Sequence, residues 1–349
     1  MRHVVVVGAG IVGASIAYHL AKAGAAVTVV EGRHAASGAT GSSFAWIGRG
    51  PTPPRPAQAA LRALVIDDYR RLEEELPDIR VRWKGSLRWD SSSNSDTDAD
   101  TIDPDAVSRL EPHLVHVPRR ATFDPTDGAL DPVATVAALL AGAEVAGARV
   151  HSNERVLALT ERDGRVVGVR TENDSVPADM VVIAAGADAT TLCRDLGVDL
   201  PVEPSPSILV SFSSAPEVIR TLLSSDQIEV RQTDQGTFKA AWDHNGETSD
   251  EELYAVGQEV LARVRAAVSG MDDVQLTDVQ VGIRPMPLDE DPIIGKIPGH
   301  KGAYVAVMHS GVTLAPTVGR LVAQDIIGDQ EPPELAPVRY RTNQQKPSR

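Results

Sequence analysis

A chain of 349 residues with 42% hydrophobic and 23% charged residues has the composition of a soluble globular protein with two sizeable cores, or one divided core. Its formal net charge of −14 disfavours nucleic acid or an anionic membrane surface as partner. One cysteine, Cys193, excludes an internal disulfide framework and a cysteine-rich metal site, and no metal-ligand pattern stands out elsewhere. No apolar run reaches the length of a membrane span, and glycines break the N-terminal apolar stretch where a signal peptide would continue, so a cytoplasmic location is expected.

Val4 to Val7 is a continuous β-branched run, as in a strand buried on both faces of a parallel sheet. Gly8, Gly10 and Gly13 then read G-x-G-x-x-G. The first makes the tight turn, the second lets a pyrophosphate approach the backbone, and the third lets a helix lie close to the strand. That helix is expected over about Ile11–Ala23, with Gly24 ending it, and its free N–H groups and positive dipole end face the phosphates. A second strand, Val27–Val30, delivers Glu31, whose carboxylate suits both ribose hydroxyls of an adenosine and would repel a 2′-phosphate. The unit specifies a dinucleotide and leaves NAD and FAD both open.

The stretch Pro51–Pro56 is expected to be an extended connection, followed by a helix over about Ala57–Glu75. Ser91–Asp100 is polar and aperiodic, a solvated loop by composition. A second helix is expected from Pro132 to about Ala146. Strands follow at Arg149–Thr160 and Val166–Thr171 around the turn Asp163-Gly164, and then a buried strand Met180–Ala184 runs into Ala185-Gly186. Cys193, in TTLCRDLG, reads as a buried inert thiol on a helix. From about Pro201 to Val281 short alternating segments such as ILVSF, IEVRQ and TFKAAW predict an antiparallel sheet, interrupted by one helix over about Ser249–Ser269. Tyr304–Val307 is a further strand and Thr313–Ile327 a helix, with Pro316 in its first turn. His309-Ser310-Gly311 joins them, so a second helix N-terminus stands beside a buried strand. Two such termini suit a ligand with two ends needing stabilisation; NAD needs one.

These segments together resemble the D-amino acid oxidase superfamily of FAD flavoproteins, the group of glycine oxidase, sarcosine oxidase and D-amino acid dehydrogenase. The resemblance rests on GAGIVG with Glu31, ASGATGSSFAWIG, GALDP at Gly128–Pro132, ADMVVIAAG, and GIRPMPLDEDPIIG with HSGVTLAP, and covers nearly the whole chain. It implies a Rossmann-like FAD-binding domain of glutathione-reductase type with a second, antiparallel-sheet substrate domain. The first would comprise 1–80, 129–200 and 281–349, and the second 81–128 and 201–280. It places Gly8, Gly10, Ile11, Val12, Gly13, Glu31, Gly32 and Arg33 at the ADP half of FAD, with Val156, Ala185 and Gly186 near the adenine and pyrophosphate. Thr40, Gly41, Ser42 and Ser43 would pass the isoalloxazine and ribityl chain, and Gly311, Val312, Thr313 and Leu314 would face flavin N1 and O2. Reduced flavin is anionic at N1, and a positive helix end there favours it.

The same resemblance implies oxidation of a C–N bond in an amino acid or N-alkyl amino acid: hydride passes to flavin N5 and water hydrolyses the imine. Electrons then go to oxygen or another acceptor. Arg284 matches an arginine that pairs with substrate carboxylate in several relatives, a task suited to the guanidinium fork, or it packs beside the flavin without touching substrate. His309 lines the pocket or serves as a hydrogen-bonded scaffold. Trp46 narrows the pocket or belongs to the core. Lys239 resembles a lysine that promotes oxygen reduction, or is a solvated strand lysine; Arg231 is a further pocket candidate. Relatives with cysteinyl flavin carry a cysteine near Gly282, so FAD is expected to be non-covalent. Two alternatives remain: an FAD-dependent tailoring oxidase of a larger amine, or a flavin subunit of a multi-protein dehydrogenase.

Overall fold

The computed structural model describes residues 1–50, 55–90, 101–328 and 331–341. The polar segment 91–100 and most of the proline-rich connection, 51–54, lie outside the described residues.

A six-stranded sheet forms the first layer, in the order Ile293–Lys296, Ala303–Val307, Met180–Ile183, His3–Val7, Ala26–Val30 and Arg149–His151. Its inner pairs are parallel, and Ile293–Lys296 is antiparallel at one edge. The β-branched run of the first strand is explained by burial on both faces: Val4 and Val6 enter one apolar core and Val5 and Val7 the other. His3–Val7 pairs with Ala26–Val30 on one side and Met180–Ile183 on the other. Its carboxyl end is therefore the point where the chain's path across the sheet reverses, the usual place for a ligand in such sheets.

The first helix, Ile11–Lys22, and the last long one, Gly311–Ile327, pack on each other through small residues. A Cβ on Gly319 would stand 2.2 Å from Ser15 Oγ, and that hydroxyl instead donates to Ala315 O at 2.7 Å. The last helix starts at Gly311, earlier than expected, so Pro316 lies inside it, beyond the first turn. A proline there leaves the carbonyl four residues back without its helical donor. The hydroxyl of Tyr69, buried on the helix Ala59–Glu75, donates to that carbonyl, Val312 O.

The second layer is an eight-stranded sheet in the order Leu276–Pro287, Val202–Phe212, Phe238–Asp243, Glu229–Gln232, Leu222–Ser224, Ser86–Arg88, Ala121–Asp124 and Thr101–Ile102. One face is covered by the helix Asp250–Ala267, whose Val260, Leu261 and Val264 pack against Val210, Phe212, Val230 and Phe238. Ser249 and Glu252 form a capping box at its start. The other face turns to the first layer. Leu276–Pro287 pairs with Val202–Phe212 from Leu276 to Pro287. The ladder runs unbroken through residue 281, where the sequence places the return to the first unit.

Arg149–Thr160, read as one strand, is two. Arg149–His151 edges the parallel sheet, while Val156–Arg162 joins a three-stranded antiparallel sheet with Arg165–Thr171 and Ser175–Pro177. Asn153, at φ 57°, bends the chain between them.

Candidate active site

An elongated cavity of about 1870 Å³ runs along the carboxyl edge of the parallel sheet and opens under the inner face of the second sheet. At one end Glu31 closes the second strand. Its Oε2 accepts from Ala9 N at 2.8 Å and its Oε1 from Arg33 N at 2.9 Å. A carboxylate has about four acceptor positions, so each oxygen retains capacity for a ribose hydroxyl. Gly32, Arg33, Val156, Ala185 and Gly186 line the same end.

The glycine turn fits a pyrophosphate by steric necessity. Gly8 has φ +104° and a Cβ there would meet Ala184 O at 2.6 Å, while a Cβ on Gly13 would meet Gly8 O at 2.0 Å. A side chain at Gly13 would push the helix off the first strand, and one at Gly8 would push apart the first strand and its neighbour at Ala184. Gly10, Ile11 and Val12 line it, and Thr40 Oγ1 accepts from Ile11 N at 3.1 Å. Ser42 and Ser43 continue the lining.

Gly311, Val312 and Thr313, at the start of the last helix, line the cavity's other part. The two helix starts converge there, since a Cβ on Gly311 would lie 3.2 Å from Val12 Cγ2. Neither N-cap residue, Gly10 or Ser310, caps its helix with a side chain, and apart from Ile11 N, which Thr40 takes, first-turn N–H groups and two positive dipole ends face one space. Arg62, unremarked in the sequence, adds a cation: its Nη2 donates to Ser310 Oγ at 3.2 Å and its Nε to Gln58 Oε1 at 3.0 Å. Such an arrangement fits a ligand with a diphosphate near one helix and an anionic ring edge at the other, which is FAD. Gly13, Gly41 and Leu314 are absent from the lining; they shape it from behind, with Leu314 fully buried.

The cavity's far end lies against the second sheet. Arg284 lines it, held by Nη2 donating to Ser205 Oγ at 2.9 Å. His309 also lines it and is exposed within the cavity; partial desolvation there, then Arg284 and Arg62, lower its pKa. Trp46 lines the wall and donates from Nε1 to Asp127 Oδ2 at 2.8 Å.

Asp127 is the hub that sequence reading missed. It is fully buried, and the same oxygen accepts from Ser86 Oγ at 2.7 Å and Arg88 Nη2 at 2.5 Å. Burial nevertheless raises its pKa. Arg88 stacks 4.8 Å from the Trp46 ring centroid and lines the cavity. The period-two pattern of SLR places Ser86 and Arg88 on one face, a signal available in the sequence, while Asp127 comes from a loop without periodicity.

Arg231 and Lys239 are not among the lining residues. Arg231 is 6% exposed, its Nε donates to Phe44 O at 2.7 Å and its Nη2 to Leu130 O at 3.1 Å. It clamps the segment leading to Trp46, and the expectation of a pocket role is corrected. Lys239, paired with Arg231 across the ladder, donates to Ser211 Oγ at 2.7 Å, and burial followed by Arg231 lowers its pKa. Both stand one row beyond Ala241 and Glu229, which do line the cavity. Cys193 is buried and its thiol is pushed up to about 12, in accord with an inert thiol. Among the described residues no helix is long and apolar enough to cross a membrane, and no metal-binding cluster of His, Cys, Asp or Glu occurs.

The family described as FAD dependent oxidoreductase matches residues 3–325. Glycine oxidase of Bacillus licheniformis is 27% identical over 348 residues, covering 93% of this chain and 93% of its own. Glycine oxidase of Pseudomonas aeruginosa is 30% identical over 371 residues, covering 95% and 96%. Among solved structures, glycine oxidase from Geobacillus kaustophilus superposes with a TM-score of 0.85 at 22% identity, over 97% of this chain and 98% of that one, which is a likeness of fold. A match over nearly the whole chain joins a cavity built for a dinucleotide with two helix starts at its reactive end: the chain belongs to the family of FAD-dependent oxidoreductases.

Proposed function

We propose that the protein oxidises the C–N bond of an amino acid or N-alkyl amino acid at the Arg284 end of the cavity. The observation that carries this reading is that Arg284 and His309 line the cavity where both helix starts converge. Bound FAD supplies the acceptor for a hydride leaving the carbon beside nitrogen, and this carbon and nitrogen become an imine that water hydrolyses to a carbonyl and an amine.

Around that exchange the chain's own groups bind, orient and hold protons. Arg284 is held by Nε donating to Ser205 O and Nη2 donating to Ser205 Oγ and Pro206 O, which leaves Nη1 to donate to a carboxylate. His309 Nδ1 and Nε2 offer an acceptor to an ammonium, which must lose a proton before its carbon can release hydride. The positive starts of the two helices and Arg62 favour negative charge on the cofactor. Trp46, braced by Asp127, limits the space beside the reacting carbon. FAD is held without a covalent bond in this reading: Cys193 is buried among core residues, and a Cβ on Gly282 would lie 2.9 Å from Ser42 Cβ. The FAD-binding unit comprises 1–80, 129–200 and the chain after Pro287, and the substrate unit the intervening 81–128 and 201–287.

Anaerobic mixing of the yellow holoprotein with amines tests this. Amino acids should bleach the flavin, and Arg284→Gln should weaken saturation by about 30-fold or more, as for loss of one partner of a desolvated charge pair. Bleaching by carboxylate-free amines with no response to amino acids would refute the role of Arg284.

A further inference from the structure

The inner face of the eight-stranded sheet carries charge that anchoring one small zwitterion does not use. Pairing across the sheet sets Leu209 opposite Ala241, Ala241's neighbour on the next strand is Glu229, and Glu229 pairs with Ser224, which pairs with Arg88. Asp243 stands two residues from Ala241, and Arg284 lies beyond it on Leu276–Pro287. All four charged residues line the cavity. Arg88 already donates to Asp127, and Arg284 to Ser205. Glu229 has no hydrogen bond or ion pair with any described residue.

We infer that Glu229 is a specificity residue whose carboxylate takes a cationic group at the far end of the substrate, with Asp243 adding to the negative field. This rests on the C–N oxidation reading and names its substrate class: amino acids or N-alkyl amino acids with a second positive group, a guanidinium or ammonium. Glu229 is half-buried, lines the cavity and has no protein donor, so a ligand cation that displaces water from it gains an unshared carboxylate partner. Burial and the neighbouring Asp243 both push its pKa up, more than Arg88 and Arg284 hold it down. A substrate cation relieves both effects, whereas glycine leaves them in place.

The test separates binding from turnover. The holoprotein is titrated, following the flavin spectrum, with 4-guanidinobutyrate and its neutral near-isostere 4-ureidobutyrate, which share a carboxylate and lack an α-amine. The guanidino ligand should bind at least about tenfold tighter, a difference of ~1.4 kcal/mol. Glu229→Gln should bring the ratio to near unity, and Glu229→Asp, which keeps the charge, should retain part of it. Equal binding to the unaltered protein, or a ratio unchanged in Glu229→Gln, overturns the assignment. Anaerobic bleaching by arginine and citrulline, both enantiomers, is then compared. Bleaching by neither, with the binding ratio intact, sinks the cationic amino acid substrate class and leaves Glu229 as a cation site only. Equal bleaching by both, with equal binding, leaves the reaction standing and removes Glu229 from it.

Discussion

Replacing Tyr69 by phenylalanine removes one hydroxyl from a fully packed position and leaves the ring where it is. The Tyr69 side chain is 1% exposed and its hydroxyl serves the Val312 carbonyl, which Pro316 deprives of its helical N–H. A buried carbonyl left without a donor costs about 1–3 kcal/mol. Tyr69→Phe should therefore destabilise the protein by about that amount. The causal step is isolated by a second substitution. Pro316→Ala restores an N–H four residues after Val312, so in that background the hydroxyl is redundant and Tyr69→Phe should cost less than ~0.5 kcal/mol, a coupling of about 1 kcal/mol or more. The assay is urea unfolding of all four proteins at one fixed excess of FAD, since bound ligand adds to apparent stability. Equal costs of Tyr69→Phe in the two backgrounds would refute the reasoning, whatever their size. Because Val312 lies at the helix start lining the cavity, the single variant should also hold FAD more weakly.

Glu31→Gln keeps the acceptor carbonyl but loses the charge that meets two backbone N–H groups and, by the FAD reading, two ribose hydroxyls. A charge-assisted bond contributes about 1.5–3 kcal/mol, so FAD affinity should fall by roughly 10- to 150-fold, measured by flavin fluorescence on titrating apoprotein. His19 is 5% exposed and burial takes its pKa from 6.5 to about 4. The unfolded chain then binds the extra proton between those values, so stability is full above pH 6.5 and falls as pH drops toward 4, by at most ~1.4 kcal/mol per unit. His19→Gln should flatten that limb; an unchanged slope would assign it to other groups. Precipitation with acid should release all yellow chromophore into the supernatant, and colour retained in the pellet would show a covalent flavin.

What the sequence made legible is what local chemistry dictates. The run Val4–Val7, the three glycines and Glu31 each have one steric or electrostatic task that a single segment performs, and the structure places them together on one turn. The last helix starts at Gly311, two residues before the Thr313 that local propensity selects. Pro316 reads as a first-turn residue when only local propensity is weighed, and its tolerance deeper in the helix depends on Tyr69, about 250 positions upstream. The split of Arg149–Thr160 was hidden for the same reason, since the break serves two different sheets and not the local pattern.

The substrate end shows where reading by segment fails. Lys239 and Arg231 alternate correctly onto the cavity-facing side of their strands, but alternation gives the face and not the row. The row is set by pairing: Arg231 meets Lys239, placing Arg231 under Phe44 and Lys239 against Ser211, whereas Glu229, two residues earlier, lines the cavity with Ala241. Under the inference drawn for Glu229, the same shift replaces the expected cation beside oxygen with an anion beside substrate. If that placement holds, substrate choice is divided between Arg284 and Glu229 on two strands of one sheet. Exchanging Glu229 for a neutral residue should then change which amino acids are oxidised without changing how FAD is held.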